Sequence, residues 1–303
     1  MRVVTSFLIL KTRKYLMALI ELQEISKLYG FGDATTLALD EVSLSIEKGE
    51  FVAIMGPSGC GKTTLLNIIG VLDRPTHGNY TLDGRYVSRL RSNQQAKLRR
   101  DRIGFVFQSF NLIYRLNVLD NVALPLAYRG MTPVRRMNQA SDILEVVGLR
   151  DREYFMPRQL SHGQAQRVAI ARALINKPSI IIADEPTGNL DSIDSRVVME
   201  LFADIHSQGN TILMVTHNPE LTRYASRVIY MHDGMVVGDE KTPIGDMAKG
   251  ARKTYFRRYK TTEDDIVAGV SAMMREMPAK ELEDKPRRKG KSRKRRSKNK
   301  RKQ

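Results

Sequence analysis

Three short runs of consecutive apolar residues stand out along the chain: Phe51-Val52-Ala53-Ile54-Met55, Ile180-Ile181-Ile182-Ala183 and Thr211-Ile212-Leu213-Met214-Val215-Thr216. None alternates apolar with polar, which is the pattern of strands covered on both faces, as in a parallel sheet. Between them the apolar spacing turns helical, just after residue 63 and again over 192–206. Strands alternating with helices predict an α/β core. The texture changes between Gln108 and Leu160, where strand-like runs become scarce. There Ala140–Val147 takes helical spacing and stops at Gly148, a residue suited to a C-terminal cap. Roughly 110–160 is therefore read as a mostly helical insertion into the α/β core.

A second change comes past Gly250, in a segment, 246–284, read as a C-terminal extension. Residues 263–277 have the spacing of an amphipathic helix: Thr262 can cap it, Glu263, Asp264 and Asp265 occupy its first turn, and Pro278 stops it. Ile266, Val267, Val270, Met273, Met274 and Met277 share one face, and packing against its own domain is the expected use of that stripe. Residues 285–303 contain no apolar side chain and are expected to be disordered.

Charge follows the same division. The net charge of +17 invites a nucleic-acid reading, yet thirteen Lys and Arg lie in 285–303 and four in 1–20, with no acid in either segment. Removing those from the 50 basic residues leaves 33 against 33 acidic ones in 21–284, so the folded body is formally neutral. The tail has the chemistry to bind anionic lipid, or nucleic acid with steep salt dependence, or simply to keep the chain in solution. The single cysteine, Cys60, excludes an intramolecular disulfide and suits a reducing compartment. No run approaches the eighteen or so apolar residues that cross a bilayer. Residues 1–19 are read as an N-terminal extension. Lys11-Thr12-Arg13-Lys14 follows its short apolar run, no small-residue cleavage site appears, and Met17 is the expected start of translation.

Chemistry enters directly after the first apolar run. Gly56-Pro57-Ser58-Gly59-Cys60-Gly61-Lys62-Thr63 reads G-x-x-x-x-G-K-T between a predicted strand and an apparent helix that begins at Thr64. In that setting the glycines let the loop curl so that backbone N–H groups point inward at phosphate oxygens, and the helix N-terminus adds partial positive charge. Lys62 is expected at the β- and γ-phosphates and Thr63 on Mg²⁺. Cys60 is read as a small residue that fits this loop.

Further motifs follow in order. Leu160-Ser161-His162-Gly163-Gln164, hereafter the signature segment, precedes Ala165–Leu174. Then come Ile180-Ile181-Ile182-Ala183-Asp184-Glu185-Pro186, Gly188-Asn189-Leu190-Asp191 and Val215-Thr216-His217. In these five motifs and their spacing the chain resembles the ATP-binding subunits of ABC transporters, over roughly 20–245. The resemblance implies an α/β P-loop NTPase fold, with a RecA-like core, an antiparallel β subdomain and the helical insertion.

It also implies roles. The apolar strand delivers Asp184 to the sheet's C-terminal edge, where it would hold Mg²⁺ through water, and Glu185 would orient or deprotonate the attacking water. Gln108, after Gly104-Phe105-Val106-Phe107, matches the glutamine that contacts Mg²⁺ and senses the γ-phosphate, and His217 the histidine that hydrogen-bonds it. Tyr29 matches the aromatic that stacks on adenine, and Asp191 the aspartate linking two sites across a dimer. Ser161, Gly163 and Gln164 would cover the γ-phosphate held by a second subunit's loop, so two ATP molecules sit in a head-to-tail homodimer. His162 stands where this family commonly has glycine. It reads either as a side chain turned away from the nucleotide or as an imidazole beside the γ-phosphate.

Ile103–Leu112, Asn121–Leu126 and Ala183–Asp191 are similar to the lipoprotein-releasing and macrolide-export class, with a cell-division ATPase as a sibling. The resemblance implies separate permease subunits and a peripheral position on the cytoplasmic face of the bacterial inner membrane. Soluble relatives acting on ribosomes or DNA usually carry two cassettes or a long coiled coil, and neither pattern is present.

Overall fold

A computed structural model of the chain describes residues 18–30 and 34–246. The expected start at Met17, the amphipathic segment 263–277 and the basic tail 285–303 lie outside the described residues.

The apolar runs do become strands buried on both faces. β1 (Ala18–Tyr29), β2 (Thr36–Glu47), β4 (His77–Leu82) and β5 (Arg85–Tyr86) form one antiparallel sheet in the order β2-β1-β4-β5. β3 (Phe51–Met55), β6 (Ile103–Phe107), β7 (Ile180–Asp184), β8 (Thr211–Val215), β9 (Arg227–His232) and β10 (Met235–Lys241) form a second, ordered β10-β9-β3-β8-β7-β6. All its pairings are parallel except β10 on β9.

Successive residues of a strand point to opposite faces, and the packing divides accordingly. Phe51, Ala53, Ile181, Ala183, Ile212 and Met214 meet α3 (Val118–Tyr128), α4 (Pro133–Val146), α5 (His162–Leu174) and α6 (Ser192–Ser207). Val52, Ile54, Ile182, Leu213 and Val215 meet α1 (Lys62–Ile69) and the buried face of the antiparallel sheet, with Leu98 from α2 (Ser92–Arg102). A sheet clad on both sides has no polar face to show, which explains the unbroken apolar runs.

Between β6 and α5 the chain is helical in α3 and α4, and α4 closes at Val147 with Gly148 at φ +67, the left-handed step that glycine takes without a Cβ penalty. The fully buried Asn121 on α3 anchors the segment ahead of that helix. Its amide donates to the carbonyls of Ile113, Leu116 and Asn117 and accepts from the N–H of Ile113.

Candidate active site

Four parallel strands lie side by side in the order β3-β8-β7-β6, so the residues that follow them emerge along one edge. These are the 56–61 loop, Thr216-His217, Glu185 after Asp184, and Gln108. At about 4.8 Å per strand, four groups spread in sequence from residue 56 to residue 217 fall within roughly 15 Å. Two hydrogen bonds knit the edge: Thr216 N–H to Ile54 O, 3.2 Å, and Glu185 N–H to Val215 O, 2.9 Å.

The loop carries its conformation in three glycines of positive φ: Gly56 at +158, Gly59 at +82 and Gly61 at +97. A Cβ on Gly61 would lie 2.5 Å from the carbonyl of Ala38, and one on Gly56 would lie 2.2 Å from that of Met231. The strand-to-helix turn thus needs glycine at both ends, whatever binds between them. Pro57, Ser58 and Gly59 are exposed and Cys60 is buried. Lys62, itself buried, folds back and donates from Nζ to the carbonyls of Gly56 (2.8 Å) and Pro57 (2.7 Å). Its ammonium thus lies along the loop that would take the phosphates. Thr63 is exposed on the first turn of α1.

Asp184 ends β7 and Glu185 follows at φ +44, a left-handed step for a non-glycine residue. His217 Nδ1 lies 2.9 Å from Glu185 Oε1, so the imidazole donates and holds the carboxylate's orientation. Burial, with Glu185 adding to it and Lys62 opposing, pushes the Asp184 carboxyl above the usual range. A half-buried carboxyl beside a second one is an arrangement that a cation relieves. Among the described residues no cluster of three or more His, Cys, Asp or Glu exists to enclose a metal. What the edge offers a cation is the Asp184 carboxylate with Glu185 beside it, a threonine hydroxyl (Thr63) and an amide oxygen (Gln108). That oxygen set suits Mg²⁺ shared with substrate phosphates.

Gln108 is paired with Asn189: Asn189 Nδ2 donates to Gln108 O at 3.1 Å, and Gln108 Nε2 to Asn189 Oδ1 at 3.4 Å. Gly188 allows this approach, since a Cβ there would lie 2.6 Å from Gln108 Nε2.

Tyr29 lies beside the start of α1, hydrogen-bonded to Thr64 and donating to Asp73 Oδ2 at 2.8 Å, with Lys27 Nζ 4.8 Å from its ring centroid. Burial, followed by Asp73, pushes its phenol up. The residue is 41 % exposed, which leaves room for a flat ligand.

The signature segment opens α5 with a capping box. Ser161 Oγ accepts from Gln164 N–H at 3.1 Å, and Gln164 Oε1 accepts from Ser161 N–H at 3.0 Å. Gln164 is therefore engaged with its own helix. A Cβ on Gly163 would lie 2.1–2.3 Å from the carboxyl atoms of Asp194, so a side chain there would have to displace that carboxylate. Asp191 caps α6, accepting from Asp194 N–H at 2.8 Å. Among the described residues the hydrogen bonds of the signature segment run to Pro157, to its own helix and to Asn189, and none reaches the 56–63 loop.

Two residues without an assigned role in the sequence support this edge. Arg172 on α5 donates to Asn111 O (2.6 Å) and Phe110 O (2.8 Å), holding the turn after Gln108, and burial pushes its guanidinium below the usual value. The fully buried Gln166 donates to Pro186 O at 2.6 Å, next to Glu185. A polar residue inside the small apolar run Val168–Leu174 was the available signal for Arg172.

A phosphate-loop turn after β3 with carboxylates at the end of β7, one strand removed in the same parallel sheet, is the arrangement of a P-loop nucleotide-binding cassette. The family model for ABC transporters matches residues 39–188. An uncharacterized ABC transporter ATP-binding protein of Methanocaldococcus jannaschii is 52 % identical over 219 residues, which cover 72 % of this chain and 98 % of that one. The macrolide export ATP-binding/permease protein MacB of Chlorobaculum tepidum is 50 % identical over 223 residues, 74 % of this chain but 34 % of that longer protein. The dimeric ATP-binding cassette MJ0796, solved in a post-hydrolysis state bound to ADP and Pi, superposes with TM-score 0.69 at 45 % identity, covering 73 % of this chain and 98 % of that one. This chain belongs to the ATP-binding subunits of ABC transporters. It is an ATPase of a family that couples hydrolysis to transport, close in sequence to MacB-type export ATPases.

Proposed function

We propose that the chain hydrolyses MgATP as one half of a head-to-tail homodimer. Closure of that dimer would drive separate permease subunits at the cytoplasmic face of the bacterial inner membrane, for export or lipoprotein release. The observation that carries this reading is Glu185, turned by its left-handed backbone and held by His217 at the mouth of the edge that the 56–63 loop shares.

In this reading the N–H groups of 58–63 cradle the phosphates and Lys62 leaves the Gly56 and Pro57 carbonyls for the β- and γ-phosphates. Tyr29 stacks on adenine. Bound through Thr63, Gln108 and, across water, Asp184, Mg²⁺ would supply charge neutralisation on the β- and γ-phosphates. Glu185 accepts a hydrogen bond from the attacking water and takes its proton, while His217 orients the carboxylate and faces the γ-phosphate. Ser161 Oγ–H and the unsatisfied first-turn N–H groups of His162 and Gly163 form an anion site of their own. The resemblance to ABC transporter ATP-binding subunits implies that the nucleotide they serve is the partner's, and Asp191 caps the start of α6. MJ0796 was solved as a dimer, which supports this arrangement.

The permease would dock on the helical segment, about 110–160, where Tyr114, Tyr154 and Met156 are exposed and Arg158 lies over the Tyr114 ring. The fusion of ATPase and permease named in MacB supports such a partner. No helix among the described residues is long and apolar enough to cross a membrane. The thirteen charges of 285–303 would add attraction to anionic lipid, about 1 kcal/mol for each basic residue near the surface.

The test is Glu185→Gln. It should bind ATP, form a stable dimer on gel filtration, and lose at least about a hundredfold in turnover, the low end for a general base. Turnover at the wild-type rate overturns the assignment.

A further inference from the structure

His162 is the one departure from the usual signature pattern, and its imidazole is engaged on its own chain. Nδ1 lies 3.2 Å from the carbonyl oxygen of Asn189. A carbonyl only accepts, so Nδ1 carries the proton and donates. The ring also rests 5.6 Å from that of Phe110, centroid to centroid, at a tilt of 41°. Phe110 is itself pinned through its carbonyl by Arg172. Asn189 then continues inward, its side chain making both bonds to Gln108. A hydrogen-bonded path therefore runs from the first residue of α5 through one asparagine to the glutamine at the sheet edge. Glycine at 162 would supply neither the donor nor the ring.

We propose that His162 is a positioning residue that ties the signature segment to Gln108 through Asn189. This rests on the reading above, in which the signature segment touches the partner's nucleotide and Gln108 faces its own. Movement of α5 on closing over one ATP shifts the Asn189 carbonyl, and with it the Gln108 amide that serves the other. The two sites of the dimer are coupled through a side chain that the usual glycine lacks.

The test uses the full chain and ATP turnover as a function of ATP concentration. His162→Phe keeps a ring against Phe110 and loses the donor. His162→Asn restores an N–H at about the same distance from the backbone. His162→Phe is expected to lower kcat about two- to tenfold, the range commanded by one hydrogen bond, with KM little changed and the Hill coefficient falling toward one. His162→Asn should recover most of the wild-type behaviour. Asn189→Ala should match His162→Phe, and the double variant should be no worse than either, because both break one path. The coupling is overturned if His162→Asn is as impaired as His162→Phe, if the two losses multiply, or if His162→Phe behaves as wild type. Lys62→Ala is measured alongside. If it binds and hydrolyses ATP normally, the reading of the site fails; if it does not, while the losses at 162 and 189 multiply, only the coupling fails.

Discussion

Arg172→Met removes the guanidinium that holds the turn after Gln108 while keeping a long apolar side chain on α5. Phe110 and Asn111 sit at φ +60 and +49, a left-handed conformation that costs a non-glycine residue about 1–2 kcal/mol, least for asparagine. Two hydrogen bonds from a charged donor, at about 1.5–3 kcal/mol each, hold them there. Losing both costs about 3–6 kcal/mol gross. Relaxation of the two backbones and release of a half-buried charge return part of it, leaving about 2 kcal/mol. For a domain of this size that is a fall of about 4–8 °C in melting temperature. The effect on turnover should exceed the effect on folding. Gln108 is two residues from Phe110, and displacement of a positioning group by an ångström can cost up to about a hundredfold. Circular dichroism melts and steady-state ATPase rates measure the two effects. A variant that melts within about 2 °C of wild type and turns over normally would show that the Phe110–Asn111 turn does not depend on Arg172.

Gly188→Ala would place a methyl 2.6 Å from Gln108 Nε2 and push that side chain off Asn189, so ATPase should fall severalfold with the melting temperature nearly unchanged; an unchanged rate would show that the Gln108–Asn189 pair is dispensable. Asp184→Asn should stabilise the nucleotide-free chain at neutral pH and abolish Mg²⁺-dependent turnover. The folded-state pKa of Asp184 is raised by burial and by Glu185, so wild-type stability from this group is full at low pH and lost as pH rises through that raised value. The asparagine variant should lose that part of the decline, and parallel pH–stability curves would contradict it. Tyr80→Phe removes a buried 2.6 Å bond to Ile69 O, where the antiparallel sheet packs on the end of α1, costing about 1 kcal/mol and roughly 2–4 °C, with the ATPase rate per folded molecule intact.

Much of the fold was legible because buried parallel strands leave a one-dimensional trace. Phe51–Met55 matches β3, and the 180–183 and 211–216 runs differ from β7 and β8 by one residue, since Asp184 still pairs with Val215 while Thr216 already turns toward His217. The antiparallel sheet was less legible from pattern. β1 and β2 are broken by register shifts that interrupt the period-two alternation, so their apolar residues do not read as one clean stripe. The roles of Arg172 and Asn121 were hidden for a different reason. Each acts through backbone carbonyls of a distant or irregular segment, and a carbonyl has no residue identity to read.

By itself, then, the sequence determined which loop carries the phosphate-loop pattern and which residues are the candidates for the chemistry, because glycines, a lysine and carboxylates after apolar strands are local requirements. The tertiary structure decided what those residues face. Strand order β3-β8-β7-β6 brings 56–63, 217, 184–185 and 108 to one edge, and only that order makes His217 the partner of Glu185. It also showed Asp191 capping α6, Gly163 lying close against Asp194, and His162 in contact with Asn189. Contacts between residues far apart in sequence depend on which strands pair, and no local pattern encodes that pairing.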